Sequence, residues 1–189
     1  MTAGRPSGRG PWGRRDPAAL AGVVTPPAAL CLLLLAATSA AAAGEPRTVA
    51  VFDFELVDTS LDGELQGTRP EELARLGMVG DLVRERLGAS GAYRLVDTDP
   101  AAAAVARAGR LRTCNGCELR IAADLGAELA LVGWVQKVSN LILNVNMVMR
   151  EVATGRLVGG GSVDIRGNTD ESWSRGAAYL VRHRLPEAD

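Results

Sequence analysis

Two periodicities run along this chain. From Arg47 to Phe54 (RTVAVFDF) apolar residues alternate with smaller ones, which predicts a first strand in a central position. Residues 55–69 carry Asp58, Ser60, Asp62, Gly63, Gly67 and Thr68 and read as a long loop. Pro70-Glu71-Glu72 then opens a helix, with Pro and acids in its first turn. Leu73, Leu76, Val79, Val83 and Leu87 form its apolar stripe, and Gly88 to Gly91 closes it. Ala92 to Val96 reads as a short second strand, Pro100 to Gly109 as an Ala-rich helical turn or two, and Thr113 to Leu125 as a helix stopped by Gly126. Glu128 to Val138 is a mostly apolar third strand. Leu141 to Val152 alternates, with Leu143, Val145, Met147 and Met149 on the core face and Asn144, Asn146 and Arg150 on the other. After a turn at Thr154-Gly155, Arg156 to Arg166 forms a fifth strand. Asn168 then caps a last helix, with Glu171 as its capping-box partner.

The order β-α-β-α-α-β-β-β-α defines the fold class: one α/β domain with a mixed five-stranded sheet and a C-terminal helix. Strands separated by helices should run parallel, and the last three should form an antiparallel meander.

Residues 1–43 have a different character. Arg5, Arg9, Arg14 and Arg15 precede an apolar run from Ala28 through Leu35, and small residues follow up to Ala41-Ala42-Ala43. This is the layout of a cleaved secretory signal. The run after Pro26-Pro27 is short for a bilayer span, so no stable membrane span is expected after cleavage. Export to the periplasm follows, leaving residues 44–189 as the exported domain. Four arginines and one aspartate leave with the signal, so the formal charge falls from −1 to −4. A near-neutral chain with only 4% aromatic residues lacks the basic stripe and stacking platform of a nucleic-acid binder. The single histidine, His183, excludes a multi-histidine metal site, and no cofactor is expected. It sits near the end of the last helix, where a cation is favoured.

Cys114-Asn115-Gly116-Cys117 is the most chemical motif. In an oxidising compartment this spacing reads first as a structural disulfide and second as a redox-active pair. One CxxC supplies two metal ligands, with no second pair to complete a site, and Glu118 rather than His follows, which excludes haem attachment.

Topology suggests a second site. If the fifth strand runs antiparallel to the fourth, its end lies beside the start of the fourth and the end of the third. Lys137, Asn140, Asn144, Arg166, Asn168, Asp170 and Trp173 would then gather at one sheet edge, with Asp53 and Glu55 at the same edge if the first strand parallels the third. Asp53 itself reads more readily as a buried carboxylate. Composition adds weight: Lys137 is the sole lysine among 21 basic residues, and all five asparagines fall in or beside these segments or the Cys114–Cys117 motif. Ligand sites favour the carboxyl ends of parallel strands, and a helix starting there can hold an anion. The same residues also serve structural ends, as turn, cap, ion pair and core.

The strings VFDFELVDTS (51–60), CNGCE (114–118), GWVQKVSNLILN (133–144) and RGNTDESWSRG (166–176) resemble an uncharacterised family of exported bacterial proteins with a domain of unknown function. The succession VAVFDF, SGAYRLVD, ADLGAELALVGWV and EVATGRLV is similar in fold pattern to envelope domains of the TolB amino-terminal, CsgG and LpoB type. The resemblance implies binding to another envelope protein rather than catalysis, and the missing nucleophile–base set agrees. Two alternatives stand beside it. One is a small-anion-binding accessory of a periplasmic oxidation system, of the quinoprotein alcohol dehydrogenase kind. The other is a thiol–disulfide protein using Cys114 and Cys117.

Overall fold

The computed structural model describes residues 45–186, so residues 1–43, expected above to be an export signal, lie outside the described residues. Strands β1 (Arg47–Val51), β2 (Glu55–Asp58), β3 (Tyr93–Val96), β4 (Leu129–Lys137), β5 (Ile142–Glu151) and β6 (Leu157–Arg166) build one mixed sheet. Helices are α1 (Leu61–Gln66), α2 (Pro70–Ala89), α3 (Ala102–Ala108), α4 (Cys117–Asp124) and α5 (Asp170–Arg184). The strand order is β3-β1-β4-β5-β6, with β2 continuing the line of β1 along β4. β1 pairs parallel with β3 and β4, and β4, β5 and β6 form the antiparallel meander. None of the helices among the described residues is long and apolar enough to cross a membrane.

The sheet has six strands rather than five, because part of the expected loop 55–69 is ordered backbone. β2 pairs Glu55↔Trp134 through Asp58↔Lys137, whereas β1 pairs Val49↔Leu129 through Val51↔Leu131. Three residues, 52–54, therefore oppose two on β4, a one-residue bulge. The bulge breaks the alternation on which a sequence reading relies. It turns Phe52 and Phe54 into opposite cores and leaves Asp53 outside, its side chain 92% exposed and paired to Arg84 at 2.5 Å. Asp53 is thus neither a buried carboxylate nor part of the sheet edge. Gly133 of β4 makes room for Phe54, since a Cβ there would lie 2.3 Å from the Phe54 ring.

Two cores flank the sheet. On one face Leu129, Leu131, Val135, Leu143, Val145, Met147 and Met149 meet Leu76, Val79, Val83 and Leu87 of α2 and Trp173, Ala177 and Leu180 of α5. The α2 residues recur every three or four positions, so a single face of the helix is buried. Each large side chain sealed there contributes about 1.5–3 kcal/mol relative to exposure. On the other face Ala130 and Val132 meet Ile121 and Ala122 of α4, with Leu111 and Phe52.

Two boundaries differ from expectation. The helix expected from Thr113 starts at Cys117, because Asn115 (φ 58°) and Gly116 (φ 92°) are left-handed and stop a helix from running through them. α5 is capped by Thr169, whose side chain accepts from the Ser172 N–H, and not by Asn168 with Glu171. The cap shifts one residue, which frees the Asn168 side chain for another task.

Candidate functional site

Lys137 ends β4. Alternation puts its side chain on the same face as Leu129, Leu131 and Val135, directed toward α2. It is wholly buried, with 0% exposure. A buried ammonium needs partners on all its protons, and three carboxylates supply them. Nζ lies 2.6 Å from Glu72 Oε1, 3.1 Å from Asp58 Oδ2 and 3.3 Å from Asp62 Oδ2.

Each acid is held in turn. Asp58 accepts from the Ser60 N–H (2.9 Å) and hydroxyl (2.6 Å), and the Ser60 hydroxyl caps α1 by accepting from the Gly63 N–H. Gly63 is required here, because a Cβ would lie 2.3 Å from the Asp58 carboxyl group. Asp62 pairs with Arg69 at 2.6 Å. Glu72 accepts from the Arg69 backbone N–H (3.2 Å) and from Asn168 Nδ2 (2.8 Å). The Asn168 carbonyl accepts from Trp173 Nε1 (3.0 Å) and Arg75 Nη1 (3.3 Å), and Arg75 Nε reaches Asp170 at 2.7 Å. Asn140 receives the Asn168 backbone N–H on its own carbonyl at 2.9 Å.

Electrostatics follow from this geometry. Burial alone would pull the Lys137 ammonium down, but its hydrogen bonds to Glu72, Asp58 and Asp62 outweigh burial and hold it above the ordinary lysine value. Burial pushes Glu72 and Asp58 up. Lys137, the Arg69 N–H and Asn168 on Glu72, and Ser60 and Lys137 on Asp58, more than reverse this and hold both below the usual range. Asp62 is lowered chiefly by its bond to Arg69. Two cations thus face three carboxylates, and Lys137 is a protonated, fully engaged ion. It is unavailable as a nucleophile, and its charge is not open to an incoming anion.

The structure brings together Lys137, Asn140, Asn168, Asp170 and Trp173 of the expected edge. Asn144 and Arg166 do not join them. Both lie on the opposite face of the sheet, where Asn144 bonds Asp164 and Ser162 at 2.6 Å and Arg166 is exposed opposite Ile142. Glu55 pairs with Arg112 at 3.5 Å, away from Lys137. The sequence reading missed Asp58, Asp62, Arg69, Glu72 and Arg75. The sequence carried a local trace of the first two, the turn-and-cap spacing Asp58-x-Ser60-x-Asp62-Gly63, but nothing in it tied that segment to Lys137, which the pairing Asp58↔Lys137 does.

The segments meeting at Lys137 also carry exposed apolar side chains. Leu61 and Leu65 of α1, Leu73 of α2, and Val138, Leu141 and Ile142 of the β4–β5 hairpin are all 46–73% exposed. They are six of the nine large exposed hydrophobics among the described residues, so the apolar surface is concentrated at this end. The same segments carry exposed charges of both signs: Glu64 and Glu71, Asp170 paired to Arg75, Glu171 paired to Arg175, and Arg166 opposite Ile142.

On the other face, Cys114 and Cys117 are joined as a disulfide. With Glu118 they are the group of potential metal ligands that converges, within 4.8 Å, among the described residues, but the bonded sulfurs offer no thiolate.

Residues 47–185 match the family model described as Protein of unknown function (DUF2380), and the chain belongs to that family. None of the curated proteins matches. Solved structures with a similar fold include the LpoB C-terminal domain from Salmonella enterica (17% identity, TM-score 0.45, covering 65% of this chain and 84% of that one). Lipoprotein GNA1162 from Neisseria meningitidis is similar at 13% identity and TM-score 0.42, covering 66% and 84%. TolB from Acinetobacter baumannii is similar at 10% identity and TM-score 0.38, covering 73% and 28%.

Proposed function

We propose that this chain is an interaction module of the bacterial cell envelope, exported to the periplasm, which docks another envelope protein through the Lys137 end of its sheet. One observation carries the reading. A helix with no buried residue, α1, is fixed by Asp62 and by Ser60–Asp58, and its Leu61 and Leu65 are left in solvent, while Leu73, Val138 and Leu141 are exposed on the other segments that meet at Lys137. Apolar side chains held rigidly in water are poised to be buried by a partner. Such a surface calls for a partner that is apolar at the centre of its contact, and exposed Glu64 and Glu71, which make no ion pair among the described residues, favour basic side chains on that partner.

The test is site-specific photocrosslinking in intact cells of the native host. The crosslinker is placed at Leu65 or Leu141, with Leu157 and Tyr179 as exposed apolar controls on other elements. The reading expects one adduct of defined mass from Leu65 and Leu141 that disappears when Leu73→Glu is added. Equal adduct yields from the control positions, or none from Leu65 and Leu141, would overturn it.

A further inference from the structure

We infer that Cys114–Cys117 is a thiol–disulfide exchange site that oxidises dithiols in acidic polypeptide segments. The bond is poorly placed to act as a clasp. Its sequence separation is 3, and it joins a 3-10 turn (Leu111–Thr113) to the helix that directly follows, α4. Disulfides constrain the unfolded chain most when they close long loops, and this one closes almost none.

The two sulfurs are unequal. Cys117 is buried, whereas Cys114 is partly exposed. The bond opens onto a groove of about 690 Å³ lined also by Ala104, Arg107, Arg120 and Asp124. Cys114 is therefore the sulfur an incoming thiolate can reach. Cys117 is the first residue of α4, and the cap residue Gly116 supplies no side-chain acceptor to the helix's first turn. A sulfur released there as thiolate lies in the first turn of the helix, whose positive end favours it as the leaving group.

Glu118 is the second, independent observation. It is nine-tenths buried, and its Oε2 lies 3.4 Å from Cys114 Sγ. Among the described residues its carboxylate accepts no other hydrogen bond. A disulfide sulfur has no proton to give, so this contact becomes a hydrogen bond only when Cys114 is a thiol. An interaction present only in the reduced form stabilises that form and makes the pair a stronger oxidant.

The exchange runs in two steps. A substrate thiolate attacks Cys114 Sγ, the S–S bond breaks, and its electron pair passes to Cys117 Sγ. The substrate's second thiolate then attacks its own sulfur in the mixed disulfide and releases Cys114. The substrate gains a disulfide, the protein gains two electrons, and two protons end on Cys114, against Glu118, and on Cys117. A low-molecular-weight disulfide such as oxidised glutathione restores the pair by the reverse exchange. Arg107 and Arg120 against the single acid Asp124 favour acidic residues beside the substrate cysteines.

The experiment equilibrates the folded protein with graded ratios of reduced to oxidised glutathione, traps the thiols by mass-tagged alkylation and reads the fraction reduced. Native protein should titrate completely within these buffers. Glu118→Ala should need a ratio about tenfold more reducing to reach half reduction, as expected for loss of a hydrogen bond to a charged group, and Glu118→Gln should recover part of that shift. Cys117→Ala should collect a stable glutathione adduct on Cys114, and the native protein should oxidise a Glu-flanked dithiol peptide faster than a Lys-flanked one. The inference is overturned if the native pair stays oxidised at every ratio until the protein unfolds. It is equally overturned if Glu118→Ala leaves the midpoint unmoved, or if the two peptides react at the same rate.

Discussion

Replacing Lys137 by Met removes the ammonium and keeps a stem of similar length. The side chain and its nearest acid, Glu72, are both fully buried, and Asp58 is 10% exposed. Without Lys137, Glu72 keeps only neutral donors, the Arg69 N–H and Asn168. Removing one partner of a sealed ion pair typically costs about 3–5 kcal/mol, because the remaining charge is left uncompensated. Domains of this size are stable by roughly 5–15 kcal/mol in total. With a urea dependence of about 1–3 kcal/mol/M, the midpoint should fall by roughly 2 M, followed by the fluorescence of buried Trp173. Adding Glu72→Gln to Lys137→Met takes away the stranded charge and should recover part of the loss, giving a favourable coupling in the double-mutant cycle. The pH response separates this account from simple loss of packing. In Lys137→Met, burial raises the folded-state affinity of Glu72 for a proton above its unfolded value, so the folded chain binds more protons and stability rises as pH falls toward about 5. A cost under about 1 kcal/mol, or a variant that loses stability on acidification in parallel with the wild type, would refute the reasoning.

The intact protein should behave in the opposite sense. Asp58, Asp62 and Glu72 are lowered in the fold, so their contribution is complete above the unfolded carboxylate range near pH 4 and is lost as pH falls through their folded values. Lys137 is raised, so its share holds below about pH 10 and is lost only above that, and urea midpoints should show a plateau between these limits. Gly133→Ala drives a methyl into the Phe54 ring and should cost about 1–3 kcal/mol by overpacking; an unchanged midpoint would mean that Phe54 moves freely. Cys114→Ala with Cys117→Ala should cost no more than roughly 2 kcal/mol, the chain-entropy value for so short a ring. A loss above about 4 kcal/mol would make the bond a structural clasp and weaken the exchange reading.

Strands whose alternation was unbroken were legible in the sequence. Leu143, Val145, Met147 and Met149 marked the core face of β5, and all four are fully buried. The meander and the parallel pairing of β1 followed from element order alone. β2 was hidden because a bulge reverses the alternation at residues 52–54, and α1 because six residues with no buried side chain leave no apolar stripe. Lys137 stood out through its rarity and Asn168 through its position, but the choice between a ligand-binding and a structural role for them stayed open. The three acids that enclose Lys137 come from β2, α1 and α2. Two of those elements lay within the presumed loop, so the partners could not be paired with it from spacing. Asn144 and Arg166 were assigned to the edge by position along the strand. Their odd-even place puts them on the far face, a distinction that period-2 counting from Leu143 and Ile165 would have made.

The burial of a lysine in place of an apolar residue has a consequence for the surface. Apolar residues in place of a whole buried ion network are often no less stabilising, although an aliphatic side chain at 137 alone would strand the Glu72 carboxylate. What an aliphatic residue could not do is fix α1. That helix contributes no side chain to the core and is anchored through Asp62 to Lys137 and Arg69, and through Ser60 to Asp58. With an apolar residue at 137, the nearest way to hold the segment would be to turn Leu61 or Leu65 inward, which would remove them from the surface. The directional polar anchor therefore separates two requirements: α1 is held in one place, and its leucines are kept outside. A Lys137→Leu variant that folds should accordingly lose the Leu65 crosslink while keeping the sheet, and a retained adduct of the same mass would show that the ion network and the apolar rim are independent.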